Sequence, residues 1–257
     1  MGLDMNQGPY GQEIESPETY LANRLRRVSQ MADDDLLREQ AIALQVSANR
    51  YGYGYQQLWC GVPVIRLPDD IMLIQEVIWE LKPSCIVETG IARAGSLLLN
   101  ASLMEIAGLH PLVLGIDIQI FPHARRAVEA SRYATDIHLF ESDSTSEDSI
   151  QTVRKFIGEV NGPVLLVLDS NHTHSHVLME LNCLTPLLPS GSITIVADTI
   201  VEAMPSHLYE KRPWGRGNNP LTALHEFLDN NHEWAAAAKW RRRGLLSEFH
   251  DGVIQRL

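Results

Sequence analysis

The sequence predicts an α/β protein built on a mostly parallel sheet with helices on both faces. Three observations predict it. Five short, almost wholly apolar stretches recur from residue 84 onward, each is followed by a segment of helical character, and each closes in or near an acid. Strands that are apolar throughout, rather than alternating, belong to a sheet covered on both sides. Strands that alternate with helices pair in parallel.

The elements follow in order along the chain. Residues 1 to about 30 are rich in Gly, Gln, Glu, Pro and Ser and read as a weakly ordered arm. "DDDLLREQAIALQVSA" opens with acids, carries apolar residues at helical spacing and lacks Gly and Pro, which predicts an amphipathic helix. "YGYGYQQLWCGVPVIRLPDD" reads as a Gly- and aromatic-rich loop, and "DDIMLIQEVIWEL" as a helix. Then come the strand "SCIVETG" closing on Gly90 and the helix "SLLLNASLMEIAG" ending near Gly108. The strand "PLVLGID" ends at Asp117 and leads to the helix "ARRAVEASRYA"; "IHLFESD" ends near Asp143 and leads to "SEDSIQTVRKFIGEV". "PVLLVLD" ends at Asp169 before the helix "HVLMELNCLTPLL", and "ITIVAD" ends at Asp198 after the turn "PSGS". No internal repeat and no low-complexity tract interrupts this order.

Composition narrows the function classes. Hydrophobic residues make up 45% and charged residues 21%, as in an ordinary globular protein. A net charge of -11 argues against a nucleic-acid partner held through phosphates. The basic run "KWRRR" (Lys239–Arg243) reads as a solvated face. No apolar run reaches membrane-spanning length, so no membrane partner is expected. The N-terminal residues lack a basic start and apolar core, and the expected location is the cytoplasm. The cysteines Cys60, Cys85 and Cys183 are odd in number and form no C-x-x-C, which fits free thiols in a reducing compartment.

Five acids close five strands: Glu88, Asp117, Asp143, Asp169 and Asp198. The carboxyl ends of strands form the ligand crevice of open α/β sheets, so the five mark a candidate site. In "ETGIARAGS" the glycines Gly90 and Gly95 have phosphate-loop spacing, but Ser96 and Leu97 stand where Lys and Ser or Thr are needed. The dinucleotide pattern G-x-G-x-x-G is absent, because Ala92 takes its middle position. A carboxylate at Glu88 suits a cationic ligand such as S-adenosylmethionine. Asp117 suits two ribose hydroxyls, which NAD also carries. Ser142 and Asp143 are placed to read an adenine edge.

Asp169 and Asp198 end adjacent strands, and two close carboxylates repel unless a proton or a cation lies between them. Oxygen ligands suit magnesium or another hard divalent ion. A metal there lowers the pKa of a bound hydroxyl, and a histidine can take its proton. None of the ten histidines is followed two residues later by Asp or Glu, and H-E-x-x-H is absent, which argues against an iron hydroxylase triad and a zincin. The histidines His172, His174 and His176 follow Asp169 closely. A helix cap at Thr173 would leave His176 in a first turn. "KRPWGRGNNP" is long for a connection and reads as a lid or substrate loop. Tyr51, Tyr53, Tyr55 and Trp59 are candidates for an acceptor pocket, or for core or subunit contacts.

Taken together, "LWCGVPVIRLPDD", "VETGIARAGSLLLNASLM", "GIDI", "LVLDSNHTHSHVLMEL", "VADTIVEAMP" and "RGNNPLTALHEFL" resemble the cephalosporin hydroxylase family over about residues 55 to 230. The resemblance implies a Rossmann-like class I methyltransferase fold. It implies an S-adenosylmethionine-dependent O-methyltransferase, magnesium-assisted and homo-oligomeric, acting on a small-molecule hydroxyl acceptor such as a sugar or secondary metabolite, as in natural product biosynthesis. Its cofactor residues fall on Glu88, Gly90, Gly95, Ser96 and Asp117, and the strand-end reading adds Ser142, Asp143 and Asp169 to the candidate cofactor set. Its metal residues fall on Asp169 and Asp198, with Thr199 as a weak substitute, and its base on His172. The resemblance departs at Ala197, where the family usually has Glu before Asp198. That departure leaves open a degenerate member that binds cofactor without turnover. A nicotinamide-dependent oxidoreductase is a further alternative. The expected division is an N-terminal arm and helix over residues 1–55, making lid or oligomer contacts, and a catalytic domain over 56–257.

Overall fold

Residues 15–257 are described by the structure, a computed structural model. Helix α1 (Pro17–Ala32) starts where Ser16 accepts a hydrogen bond from the Thr19 amide and Pro17 presets the first turn. The expected arm is therefore helical from Pro17. The Gly and Pro residues that suggested disorder all lie at or before residue 17, and residues 1–14 fall outside the described residues. Helix α2 (Asp35–Asn49) is capped by Asp34, which accepts from the Leu37 amide. The Gly- and Tyr-rich loop after it contains a 3₁₀ turn (Tyr53–Tyr55) and a short antiparallel hairpin, β1 (Leu58–Trp59) with β2 (Val62–Pro63). Helix α3 (Pro68–Leu81) follows.

The strands read from the sequence are β3 (Cys85–Thr89), β4 (Val113–Asp117), β5 (Ile137–Glu141), β6 (Val164–Leu168) and β7 (Ile193–Val196). They alternate with α4 (Gly95–Ile106), α5 (Pro122–Glu129), α6 (Glu147–Gly158) and α7 (His174–Leu184), and α8 (Pro220–Asn230) comes later. Two strands lay hidden in the C-terminal part: β8 (Trp234–Ala236) and β9 (Val253–Arg256). The seven-stranded order is β5-β4-β3-β6-β7-β9-β8, parallel except that β9 runs antiparallel to β7 and β8. The chain winds outward from β3 to β5 and then returns to β6 on the other side. The crevice between β3 and β6 is thus the switch point at which α/β folds bind ligands.

Period-two packing explains the apolar strands. Ile86, Leu165 and Val167 face one core layer with α3 and α4, while Cys85, Val87, Val164, Leu166 and Leu168 face the other with α7 and α8. The "KWRRR" run makes no basic patch. Lys239 pairs with Glu80, Arg241 with Asp33, Arg242 with Asp251 and Arg243 with Glu76. No described helix is long and apolar enough to cross a membrane.

His250 sits in the seam between α2 and the C-terminal segment, 6% exposed. The Arg38 guanidinium can only donate, so the Nδ1 of His250, 3.3 Å away, accepts and the ring is neutral. Burial, with Arg38 and Arg242, pushes its pKa down to about 4. The unfolded chain takes up this proton below about pH 6.5 while the folded chain does not, so stability is present above that pH and lost as pH falls. From pH 7 to pH 5 this group should remove about 2 kcal/mol. Melting curves of wild type and His250→Gln across that range should show a clearly smaller acid loss in the variant; equal losses would refute the assignment.

Candidate active site

The carboxyl edge of the sheet opens into a crevice of about 420 Å³ at the switch point. Gly90 and Ala92 of the β3–α4 loop and Asp117 at the end of β4 line one side. Asp169, Ser170 and His172 after β6, with Asp198 after β7, line the other. Gln45, Asn49, Tyr53 and Tyr55 close it from the N-terminal side, and Tyr209, Arg212 and Trp214 from the segment after β7.

The β3–α4 loop is built for close approach rather than for phosphates. Gly90 has φ +88°, and a Cβ there would fall 2.1 Å from the Asp169 carbonyl oxygen. The amides of Ile91 and Ala92 both donate to Asp117 Oδ2, at 2.7 and 3.3 Å. They are spent on a carboxylate of the protein and do not form an anion cradle. Asp117 stays part-exposed at the crevice wall, where ribose hydroxyls would meet it.

Glu88 lies elsewhere. It is 0% exposed and accepts from Arg66 at 3.0 Å and from Asn100 at 2.7 Å. Its charge answers a buried guanidinium, and it takes no part in the crevice lining. Gly95 and Ser96 are also away from the lining: a Cβ on Gly95 would strike the Pro63 carbonyl oxygen, so this glycine lets α4 pack under the hairpin. Ser142 bonds to Ser146, and Asp143 accepts from the amide and hydroxyl of Thr145 in the turn before α6. Those two hydrogen bonds hold the Asp143 carboxyl below its ordinary range. The structure thus keeps Gly90, Asp117 and Asp169 at the crevice and leaves Glu88, Gly95, Ser96, Ser142 and Asp143 outside its lining.

Asp169, His172 and Asp198 come together, each offering a ligand atom within 4.8 Å of the others. His172 Nδ1 stands 3.2 Å from Asp198 Oδ2, and Trp214 packs edge-on against the imidazole at 4.8 Å. Asp169 is pushed up to about 7 by burial, with Asp198 adding and Arg66 opposing. The two carboxylates offer oxygen ligands that suit a hard divalent ion, with the imidazole standing beside them. Thr199 does not join them. It is 1% exposed, and its hydroxyl donates to the Glu248 carbonyl at 3.2 Å. A residue following Asp198 in a 3₁₀ turn points back into the fold.

The other two histidines have partners of their own. His174 holds α7 to α8 through Thr222 at 2.9 Å and Glu226 at 3.0 Å. His176 meets Ser144 at 3.1 Å and Ser170 at 3.2 Å, beside the buried Glu180. Thr173 is the N-cap residue of α7, but its hydroxyl turns back to Asn171. Of the aromatics, Tyr53 and Tyr55 line the crevice, whereas Trp59 donates to Ser102 against α4 and Tyr51 is exposed beneath Arg50.

Three functional neighbours escaped the sequence reading: Arg66, Asp70 and Glu248. Arg66 is 1% exposed and bridges Glu88 at 3.0 Å and Asp169 at 3.1 Å. Asp70 is fully buried, and burial pushes it up to about 7. Arginine and acids inside "VIRLPDD" and "LLSEFH" were signals of a kind, since charges flanked by apolar residues are buried only when paired.

The fold and crevice define a Rossmann-like α/β protein with an acidic centre at the switch point. The sequence profile described as Rhamnosyl O-methyltransferase/CmcI matches residues 51–257, and the chain belongs to that family. A rhamnosyl O-methyltransferase of Mycobacterium leprae (strain TN) is 31% identical over 147 residues, 57% of this chain and 62% of that protein. The rhamnosyl O-methyltransferase of Mycobacterium tuberculosis (strain ATCC 25618 / H37Rv) is 29% identical over 148 residues, 57% and 58% respectively. The match thus spans less than two thirds of these curated relatives. A solved structure of CmcI with Mg and SAM has a TM-score of 0.53 at 21% identity, covering 79% of this chain and 77% of that one. An O-methyltransferase from Bacillus cereus in complex with SAH has a TM-score of 0.50 at 13% identity, covering 91% and 97%. Likenesses at these identities establish the fold.

Arg66→Met should destabilise the protein by about 3–5 kcal/mol, because it strands buried acids without a counter-charge. Adding Glu88→Gln should recover part of the loss, since the two residues act as one unit. Urea unfolding of the single and double variants measures this; strictly additive losses would show that the pair is uncoupled.

Proposed function

We propose that the chain is an S-adenosylmethionine-dependent O-methyltransferase, assisted by a divalent cation and acting on a sugar hydroxyl. The observation that carries this reading is the convergence of Asp169, His172 and Asp198 across one crevice from Asp117 and Gly90. Family membership supports the reaction class, and the names of the curated relatives support a rhamnosyl acceptor.

When bound, the cofactor supplies an electrophilic methyl group on sulfonium and the cation lowers the pKa of a nearby hydroxyl. Asp117 would accept hydrogen bonds from the ribose, and Asp169 and Asp198 would hold the cation. His172 takes the acceptor's proton on Nε2. Its Nδ1 edge stands 3.2 Å from Asp198 Oδ2, which leaves Nε2 as the nitrogen for that proton. Trp214 limits rotation of that ring through its edge-on contact. Tyr53, Tyr55, Tyr209 and Trp214 give the crevice aromatic faces that suit the C–H faces of a sugar ring. Much of the acceleration comes from holding acceptor and methyl donor in line. In this reading the catalytic domain is residues 56–257, and the residues before it act as a cover, since Gln45, Asn49, Tyr53 and Tyr55 close the crevice.

Calorimetry with S-adenosylhomocysteine tests the cofactor, with NAD as the rival ligand. Methyl transfer to a rhamnoside, followed by mass spectrometry with and without magnesium, tests the reaction. His172→Ala should lower kcat by about 10²–10⁴-fold, the usual contribution of a general base, and leave cofactor affinity nearly intact. Asp169→Asn should abolish the magnesium response. Wild-type turnover in both variants, or binding of NAD in preference to S-adenosylhomocysteine, would refute the reading.

A further inference from the structure

We propose that Glu248 is an outer-sphere carboxylate of the divalent-cation site, contributed by the C-terminal segment. The proposal rests on the reading given above in which Asp169 and Asp198 hold a cation beside His172. Glu248 lines the same crevice but stands outside that tight group of ligand atoms.

Its backbone is fixed beside Asp198. The Glu248 carbonyl accepts from the Ile200 amide at 3.3 Å and from the Thr199 hydroxyl at 3.2 Å. Its amide donates to Asp70 Oδ2 at 2.9 Å, and Asp70 also takes the Ser247 hydroxyl. Further along, the Val196 amide donates to the Gly252 carbonyl at 2.7 Å. A Cβ on Gly252 would lie 2.2 Å from the Val196 carbonyl oxygen, so the C-terminal segment is pressed against the end of β7.

The side chain has no donor. No described residue gives a hydrogen bond to the Glu248 carboxylate or pairs with it as an ion. Arg66 is committed to Glu88 and Asp169, and Arg212, which lines the crevice, stacks over Trp214. Burial, then Asp198, Asp70 and Asp169, hold the Glu248 carboxyl well above the ordinary range, with Arg66 opposing. Glu248 is half-buried beside Asp198, Asp70 and Asp169, and like charges gathered there repel. A divalent ion between Asp169 and Asp198 would turn that repulsion into attraction. Position 197 has no such role here: Ala197 is 1% exposed and packed in the core.

The test is Mn²⁺ binding to the full chain, by calorimetry and by electron paramagnetic resonance, for wild type, Asp198→Asn and Glu248→Gln. Thermal melting with and without Mn²⁺ accompanies it. Wild type should bind, Asp198→Asn should not, and Glu248→Gln should bind about 10–100-fold more weakly, the usual range for outer-sphere partners. Without metal, Glu248→Gln should melt at or above the wild-type temperature, because it removes an uncompensated charge; with Mn²⁺ it should gain less. Wild-type affinity in Glu248→Gln, with Asp198→Asn dead, would overturn this proposal and leave the cation reading standing. A Glu248→Gln variant that loses metal-free stability together with affinity would also overturn it, marking a structural role. Failure of wild type to bind Mn²⁺ would overturn the cation reading and this proposal with it.

Discussion

Arg66 lies between the hairpin and α3, 1% exposed, with Glu88 on one side and Asp169 on the other. An arginine cannot escape burial by giving up its proton, so the fold must bring acids to it. The two acids it holds sit at the carboxyl ends of β3 and β6, the neighbouring strands that flank the switch point. One side chain therefore ties the loop before α3 to the ends of both strands that flank the switch point. Its guanidinium also lies over the Phe249 ring at 5.1 Å, which brings the C-terminal segment into the same knot. The position of Asp169 is in this sense decided from outside the site.

The same region carries more negative charge than Arg66 can answer. Asp70, Asp198 and Glu248 join Glu88 and Asp169 around it. Burial raises Asp70, Glu88, Asp169 and Glu248 together, and every one of those shifts opposes full ionisation. Two remedies exist for such a cluster, protons or a cation, and they act on different members. Asp70 is served by the Ser247 hydroxyl and the Glu248 amide, and Glu88 by Arg66 and Asn100. Asp198 and Glu248 face the open crevice without a cationic side chain of their own. The imbalance is thus concentrated on the side from which a ligand enters.

Much of this was legible in the sequence because it depends on local rules. An apolar run closing on an acid places that acid at a strand end, and this located Asp117, Asp169 and Asp198 at the crevice. The same rule placed Glu88 and Asp143 at strand ends too. It could not tell which way their carboxylates turn, since Glu88 is claimed by a residue 22 positions earlier and Asp143 by its own turn. Arg66 and Glu248 were missed for a related reason. Their meaning comes from contacts across long stretches of chain, and no local spacing encodes those. The strands β8 and β9 escaped because they are three and four residues long, and β8 reads only Trp-Ala-Ala.

Backbone strain marks the same edge. Asp198 has φ 55°, and Ala92 and Ala94 in the facing loop have φ 46° and 66°. Side chains other than Gly, Asn or Asp pay roughly 1–2 kcal/mol to sit in that region. Aspartate is among the residues that tolerate this region, and glycine at 198 would remove the carboxylate that meets His172. The conformation persists because both flanks are held: the Ala197 amide bonds to Leu168 at 2.9 Å and the Val201 amide to Asp198 at 3.1 Å. The Glu248 carbonyl takes the next two donors, the Thr199 hydroxyl and the Ile200 amide. A left-handed aspartate fixed on both sides aims its carboxylate at one place, the space it shares with Asp169 and His172. The structure that fixes this aspartate includes the C-terminal segment carrying Glu248, through the Thr199 and Ile200 contacts.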